Sequence, residues 1–188
     1  MPISRQMLLF AKNFVKYPKL LGSVVPSSPF LVNHLLSFIN WEQARVIVEY
    51  GPGVGTITGE ILKRMRSDAV LIAIELNPEF VEILDGSISD RRLRVVHGSA
   101  TEVRTILADL QLEYADYIIS GIPYTTLPDS ARRHILSESR HLLRPQGALV
   151  IYQFTRTVLP YLEPMFGRVN EEFNLLNILP ARIFHCTP

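Results

Sequence analysis

Three glycines and two carboxylates are the residues best placed to do chemistry in this chain. In Val46-Ile-Val-Glu-Tyr-Gly-Pro-Gly-Val-Gly-Thr56 an apolar run leads through Glu49 into Gly51, Gly53 and Gly55, and a helical pattern follows. Glycines there allow a tight turn and let backbone approach a ligand that a Cβ would push away. Glu75 closes the next strand pattern, twenty residues beyond Gly55. A carboxylate at that spacing accepts hydrogen bonds from both ribose hydroxyls of a nucleoside cofactor. A second constellation, Ser120-Gly-Ile-Pro-Tyr124, ends the fourth strand pattern. Ligands of doubly wound folds gather at the carboxyl ends of strands near the topological switch, so this segment would face the reacting group. The plainer reading of Pro123 and Tyr124 is a rigid turn carrying a half-buried aromatic.

The loop E-x-G-x-G-x-G has an acid at the strand end and no basic residue to meet a pyrophosphate. It resembles motif I of class I S-adenosylmethionine-dependent methyltransferases. The resemblance implies S-adenosylmethionine as cofactor, with Glu49 near its amino acid tail and Gly51, Gly53 and Gly55 forming the loop beside it. Ile74-Glu-Leu-Asn-Pro-Glu-Phe80 is similar to motif II, which adds Leu76 to Glu75 on the cofactor side. His97-Gly-Ser-Ala100 stands where the superfamily often has G-D-A, the acid holding the adenine amino group and the next backbone N–H meeting a ring nitrogen. Ser99 and Ala100 take those places here, and Ser99 departs from the pattern.

Ser120-Gly-Ile-Pro-Tyr124 is similar to the N-[IL]-P-[YF] motif of ribosomal RNA adenine dimethyltransferases. It resembles more closely the S-G-[IL]-P segment of bacterial phosphatidylethanolamine N-methyltransferases. Gly22-Ser-Val-Val-Pro-Ser-Ser28 and Leu143-Arg-Pro-Gln-Gly147 are similar to further segments of the phospholipid enzymes. This likeness implies N-methylation of an amine-bearing phospholipid headgroup, phosphatidylethanolamine first. Ser120 and the carbonyls of Gly121 and Ile122 would orient the amine, Tyr124 would bound the pocket, and Ser120 would also border the cofactor. An RNA adenine methyltransferase and a methyltransferase of a soluble amine are the alternatives. No metal is expected, and His97 and His134, each a lone histidine, are read as structural.

Elements that must position these residues follow from periodicity. Near-continuous apolar runs predict parallel strands at Arg45–Tyr50, Val70–Glu75, Leu93–His97, Tyr114–Ser120 and Ala148–Phe154. Two more are expected near Arg168–Leu176 and Ile178–His185. Helical patterns lie near Ile57–Arg66, Pro78–Gly86, Thr101–Leu110 and Ser130–Leu143. Such alternation demands right-handed crossovers. The expected fold is therefore an α/β, Rossmann-like, doubly wound sheet of seven strands, mostly parallel with an antiparallel edge. Two further helices are expected upstream, Ser4–Tyr17 and Pro29–Asn40, the second capped by Ser28 with Pro29 at its first position.

The 188 residues are 47% hydrophobic and 20% charged, an ordinary globular composition that fits one domain, with residues 1–41 as a front end and 42–188 as the core. No apolar run reaches the roughly 18 residues of a membrane span, and the N-terminus lacks a secretory pattern. One cysteine, Cys186, excludes an internal disulfide and a cysteine-based zinc site. A cytoplasmic location is expected. With Pro188 soon after the last strand pattern, the basic RNA-binding domain that the rival reading usually needs is not expected.

Charge is distributed unevenly. Residues 1–41 carry Arg5, Lys12, Lys16 and Lys19 and no acid, whereas the remainder has a net charge of −3. At helical spacing Arg5, Lys12 and Lys16 share one strip and Met7, Phe10, Ala11, Phe14 and Val15 the opposite side, with Leu9 out of place beside the basic strip. A basic amphipathic helix of this kind suits the interface of an anionic membrane, each Lys or Arg contributing about 1 kcal/mol. The alternative is a surface helix packed on its own domain. Peripheral association with the inner face of the membrane through residues 4–20 is the expectation, with nucleic acid a less favoured partner.

Overall fold

A computed structural model describes residues 28–175 and 180–188. The predicted helix Ser4–Tyr17, its basic strip and the segment from Gly22 to Ser27 lie outside those residues.

The described chain opens with α1 (Pro29–Leu36), where the Ser28 hydroxyl accepts the Leu31 N–H at 3.2 Å and Pro29 occupies the first turn. This is the cap the sequence predicts. The helix is a turn shorter than expected, because the Ser37 N–H bonds back to Asn33 and His34 and its hydroxyl donates to the His34 carbonyl. Then follow β1 (Val46–Tyr50), α2 (Thr56–Arg64), β2 (Val70–Glu75), α3 (Pro78–Ser87), β3 (Leu93–His97), a 3-10 turn at Ala100–Glu102 and α4 (Val103–Asp109). The second half runs β4 (Ala115–Ser120), a 3-10 turn at Tyr124–Thr126, α5 (Asp129–Leu142), β5 (Leu143–Gln153), α6 (Leu159–Leu162), β6 (Arg168–Asn174) and β7 (Ala181–Thr187).

The seven strands form one sheet in the order β3-β2-β1-β4-β5-β7-β6. β1 to β5 are parallel, while β7 runs antiparallel to both β5 and β6. This is the Rossmann-like, doubly wound sheet expected, antiparallel edge included. The order reverses between β1 and β4, which places the switch point between the glycine loop and the Ser120 turn.

Both faces of the sheet are covered. On one, Val48, Ile72 and Leu149 pack with Val103 and Leu107 of α4 and with Ile135 and Leu136 of α5. On the other, Ile47, Leu71 and Val150 pack with Leu31 and Leu35 of α1 and with Ile57 and Ile61 of α2. Every residue of β1 and β4 is buried, as two-sided cover requires. Each fully buried Leu or Ile contributes roughly 1.5–3 kcal/mol, so these faces dominate the stability. At the amino end of the strands Asp116 accepts the N–H groups of Arg45 and Val46 at 2.8 and 2.9 Å, tying β4 to the start of β1. Among the described residues no helix is long and apolar enough to cross a membrane.

Candidate functional site

At the carboxyl end of the sheet the parallel ladders continue one step into the loops. Gly51 N–H donates to Ile74 O, Gly98 N–H to Glu75 O and Gly121 N–H to Tyr50 O, at 2.9, 3.0 and 2.9 Å. Three loops, after β1, β3 and β4, are thereby tied to the ends of the neighbouring strands β2 and β1.

The glycine loop is built from left-handed backbone, with φ of 68°, 57° and 84° at Gly51, Gly53 and Gly55. At Gly51 a Cβ would stand 2.9 Å from Ile122 Cγ2, so this glycine lets the glycine loop and the acceptor turn meet. At Gly55 it would stand 2.7 Å from Leu84 Cδ2, where α2 begins against α3. Gly53 has a different part: its N–H donates to Glu75 Oε2 at 3.0 Å.

Glu75 receives a second bond on its other oxygen, from the Asn77 N–H at 2.9 Å. A carboxylate offers about four lone-pair sites, so two backbone donors orient it and leave capacity for two hydroxyls. Leu76 follows at 69% exposure, its carbonyl 3.2 Å from His97 Nε2. Glu49 is buried beneath the glycine loop and accepts the Thr58 hydroxyl at 2.7 Å. Burial pushes its carboxyl up to about 7, opposed by the Thr58 bond and reinforced by the nearby charge of Glu75. Two buried acids with no basic residue between them give the carboxyl ends of β1 and β2 an acidic character that favours a cationic ligand. A nucleoside bearing a sulfonium and an ammonium fits this donor and acceptor set, and a dinucleotide pyrophosphate does not.

Ser99 is engaged differently from the expected adenine contact. Its hydroxyl accepts the Thr101 N–H at 3.2 Å and the Thr101 hydroxyl at 2.8 Å, while its own N–H donates to Glu102 Oε2 at 2.9 Å. This capping box starts the 3-10 turn and fixes the Ala100 backbone.

The acceptor turn is anchored from beneath. Ser120 and Tyr124 are both fully buried, and their hydroxyls lie 3.1 Å apart. The Tyr124 ring, expected at the edge of a pocket, packs instead in the core cluster of α4 and α5, and burial raises its phenol well above the ordinary range. Tyr124 thus supports the turn from beneath through its hydroxyl and presents no ring face to the site. The Ile122 carbonyl accepts the Tyr124 N–H at 3.0 Å and Gln153 Nε2 at 2.9 Å, which engages both lone pairs. Of the two carbonyls expected to meet an amine, that of Gly121 is the better placed.

Three supporting residues escaped the sequence reading. Gln153 holds Ile122 as described. Arg132, buried on α5, donates Nε to Tyr124 O, Nη2 to Leu127 O and Nη1 to Tyr161 Oη, at 3.0, 3.0 and 2.6 Å. Tyr152 flanks the turn so closely that a Cβ on Gly121 would stand 2.4 Å from its hydroxyl oxygen. None of the three sits in a recognisable motif. The available signals were a Gln at the end of an apolar strand and an Arg on the apolar side of a helix. A cavity of about 120 Å³ opens beside the turn, between Gly121 and Pro123 on one side and Tyr152 and Phe154 on the other. Among the described residues no group of His, Cys, Asp and Glu is arranged to hold a metal ion.

Comparison with known proteins agrees with this geometry. Residues 18–147 match the family model described as Ribosomal RNA adenine dimethylase. The ornithine lipid N-methyltransferase of Singulisphaera acidiphila is 30% identical over 184 residues, covering 97% of this chain and 96% of that protein. Ribosomal RNA small subunit methyltransferase A of Mycoplasma mycoides is 32% identical over 114 residues, 58% of this chain and 41% of the relative. Among solved structures, a precorrin-6y C5,15-methyltransferase from Geobacter metallireducens superposes with a TM-score of 0.65 at 16% identity, covering 83% of this chain and 86% of that one. Human methyltransferase-like protein 13, in complex with SAH, gives 0.65 at 17% identity, with 84% and 79% covered. At these identities the structures speak for the fold.

Proposed function

Because the chain belongs to the ribosomal RNA adenine dimethylase family and is an S-adenosylmethionine-dependent methyltransferase, we propose that it methylates the amine of a lipid headgroup at a membrane surface. The observation that carries this reading is the similarity to a lipid N-methyltransferase along nearly the whole of both chains. The acceptor turn supports it, since its residue 120 is a serine that resembles the lipid enzymes. Phosphatidylethanolamine and an ornithine-bearing lipid both present the primary amine required. The work would be done at the inner face of the membrane, with the basic residues 4–20 toward anionic lipid.

S-adenosylmethionine supplies an electrophilic methyl group and a sulfur that leaves with the electron pair. Glu75, oriented by the Gly53 and Asn77 N–H groups, holds the ribose, and Glu49 faces the positive charge. The Gly121 carbonyl accepts an N–H of the neutral amine and aims its lone pair at the methyl carbon. The methylated ammonium then gives its surplus proton to solvent water, so no strong base is needed. Most of the acceleration is positioning, with the reacting atoms held about 3–3.5 Å apart. The Ser120–Tyr124 hydroxyl pair and the Gln153 and Arg132 bonds make the turn rigid enough to do so.

A second reading, methylation of an RNA adenine, is favoured by the family's description and by the Mycoplasma relative. Radiolabelled S-adenosylmethionine offered with vesicles containing phosphatidylethanolamine, with vesicles containing ornithine lipid, and with ribosomal RNA separates the readings. Label in lipid extract and none in RNA is the expected result. Label in RNA alone would replace the lipid reading.

A further inference from the structure

Large apolar side chains that the described residues leave exposed are Phe30, Leu76, Phe173 and Leu175. All four lie at one end of the molecule. Leu76 follows the carboxyl end of β2 on the cofactor side. β6 is antiparallel to β7, which is antiparallel to β5, so β6 points the same way as β1 to β5. Phe173 and Leu175 at its carboxyl end therefore stand at the end of the sheet where the site opens. α1 descends from that same end. His34 contacts Glu172 and Asn174 at 2.6 and 3.1 Å, while Phe38, one turn further on, stacks on His185, which pairs with Asn170 lower in the sheet. Phe30, one turn before His34, accordingly sits above Asn174.

Phe30 on the α1 face and Phe173 with Leu175 on the other face of the edge strand β6 thus flank the same end of the sheet, beyond the acceptor cavity. Register connects the two: Gln153, in the cavity wall, pairs with Arg182, and Arg182 pairs with Phe173 and lies 4.9 Å over its ring. Arg182 and Arg156 both bond Glu171, at 2.5 and 2.9 Å, which leaves one positive charge over on the Phe173 face, while Glu172 is turned to His34 on the α1 face. Ser28, which caps α1 at this same end, is preceded in sequence by twenty-seven residues with four cations and no acid.

From this placement we propose that the corner formed by Phe30, Phe173 and Leu175 is a docking surface for an anionic lipid bilayer, seating the acceptor cavity at the membrane. The choice of a bilayer over another partner rests on the lipid-amine reading above. The three side chains enter the interface, Arg156 and Arg182 face the headgroups, and a lipid's amine reaches the cavity while its acyl chains stay in the bilayer.

The test uses the full chain and vesicles of phosphatidylglycerol with phosphatidylethanolamine. Phe173→Ser with Leu175→Ser should weaken vesicle partitioning about 10- to 100-fold, as expected for removing two inserted apolar side chains. Melting temperature and S-adenosylmethionine affinity should stay at wild-type values. A tryptophan probe reports depth in a Trp41→Phe background. Brominated acyl chains should quench Phe173→Trp and spare Gln146→Trp, which lies exposed at the opposite end of the sheet. Unchanged partitioning of the double variant, or equal quenching at both positions, overturns the proposal. So does a lowered melting temperature with full vesicle binding, which would mean that the corner is covered by the protein's own chain. Loss of RNA binding in the double variant, with no vesicle binding by the wild type, would assign the corner to nucleic acid instead. Docking through the corner without methylation of any lipid would leave this surface standing and remove the substrate reading. Wild-type lipid turnover and partitioning by the double variant would do the reverse.

Discussion

Glu49 sits in a folded environment that holds its proton to about pH 7, against an ordinary value of 4.5, chiefly because it is buried. Below about 4.5 the folded and unfolded chains both carry that proton; between 4.5 and 7 only the folded chain does. Stability from this group is therefore full at low pH, falls as pH rises through that window and levels off above it, a loss of roughly 3 kcal/mol. Glu49→Gln should flatten this contribution, so the variant's melting temperature relative to wild type should rise between pH 5 and pH 8. An identical pH profile in both proteins would refute the burial argument. A cationic ligand that favours ionised Glu49 should release a proton on binding near pH 6, visible by calorimetry in buffers of differing ionisation enthalpy. Glu75 makes the complementary case. Glu75→Ala removes an oriented acceptor and should weaken S-adenosylmethionine binding by about 1.5–3 kcal/mol for each charged hydrogen bond lost, with the fold retained. Unchanged affinity would mean that the ribose is held elsewhere.

The acceptor turn shows what an element adds to its motif. Arg132 of α5 ties three oxygens of the turn and its flank with a rigid fork that lysine cannot reproduce. Arg132→Lys should lower turnover far more than cofactor affinity, and Arg132→Met should in addition cost about 2–4 kcal/mol by leaving buried carbonyls unpaired. Steady-state kinetics beside thermal melts separate the two effects; a lysine variant with wild-type turnover would reduce Arg132 to a packing residue. Such a clamp was not legible in the sequence. The glycine loop, Glu75 and the five parallel strands were, because strand, turn and helix periods change within a few residues there. Partners 8 to 31 positions apart, such as Arg132 with Tyr124 or Gln153 with Ile122, leave no local pattern. Tyr124 is the instructive case. Its place in the motif was readable, yet the direction of its ring depends on the space between α4 and α5. Ser99 is similar, since its hydroxyl could be assigned to a cap only once Thr101 and Glu102 were seen to converge on it.

Charge is arranged on the scale of the whole molecule, with a net of −3 on residues 42–188 and four cations ahead of them. A near-neutral protein with that asymmetry feels an anionic surface as an oriented dipole would, drawn by one end and mildly repelled by the rest. Exposed charges are screened over about 8–10 Å at physiological salt, so the attraction should decay as salt rises while apolar contact persists. Replacing Arg5, Lys12 and Lys16 together by Glu should therefore sharply reduce sedimentation with vesicles rich in acidic lipid. Affinity for S-adenosylmethionine should not change, since Glu49, Gly53 and Glu75 lie in the core and hold their places through contacts within it. Raising salt on the wild type should reproduce much of the same loss without any substitution. A helix packed on its own domain makes the opposite forecast: charge reversal would be nearly silent and salt without effect, while Phe14→Asp would lower the melting temperature. Vesicle binding that survives both charge reversal and high salt would leave the apolar corner as the sole anchor and remove the basic segment from the docking.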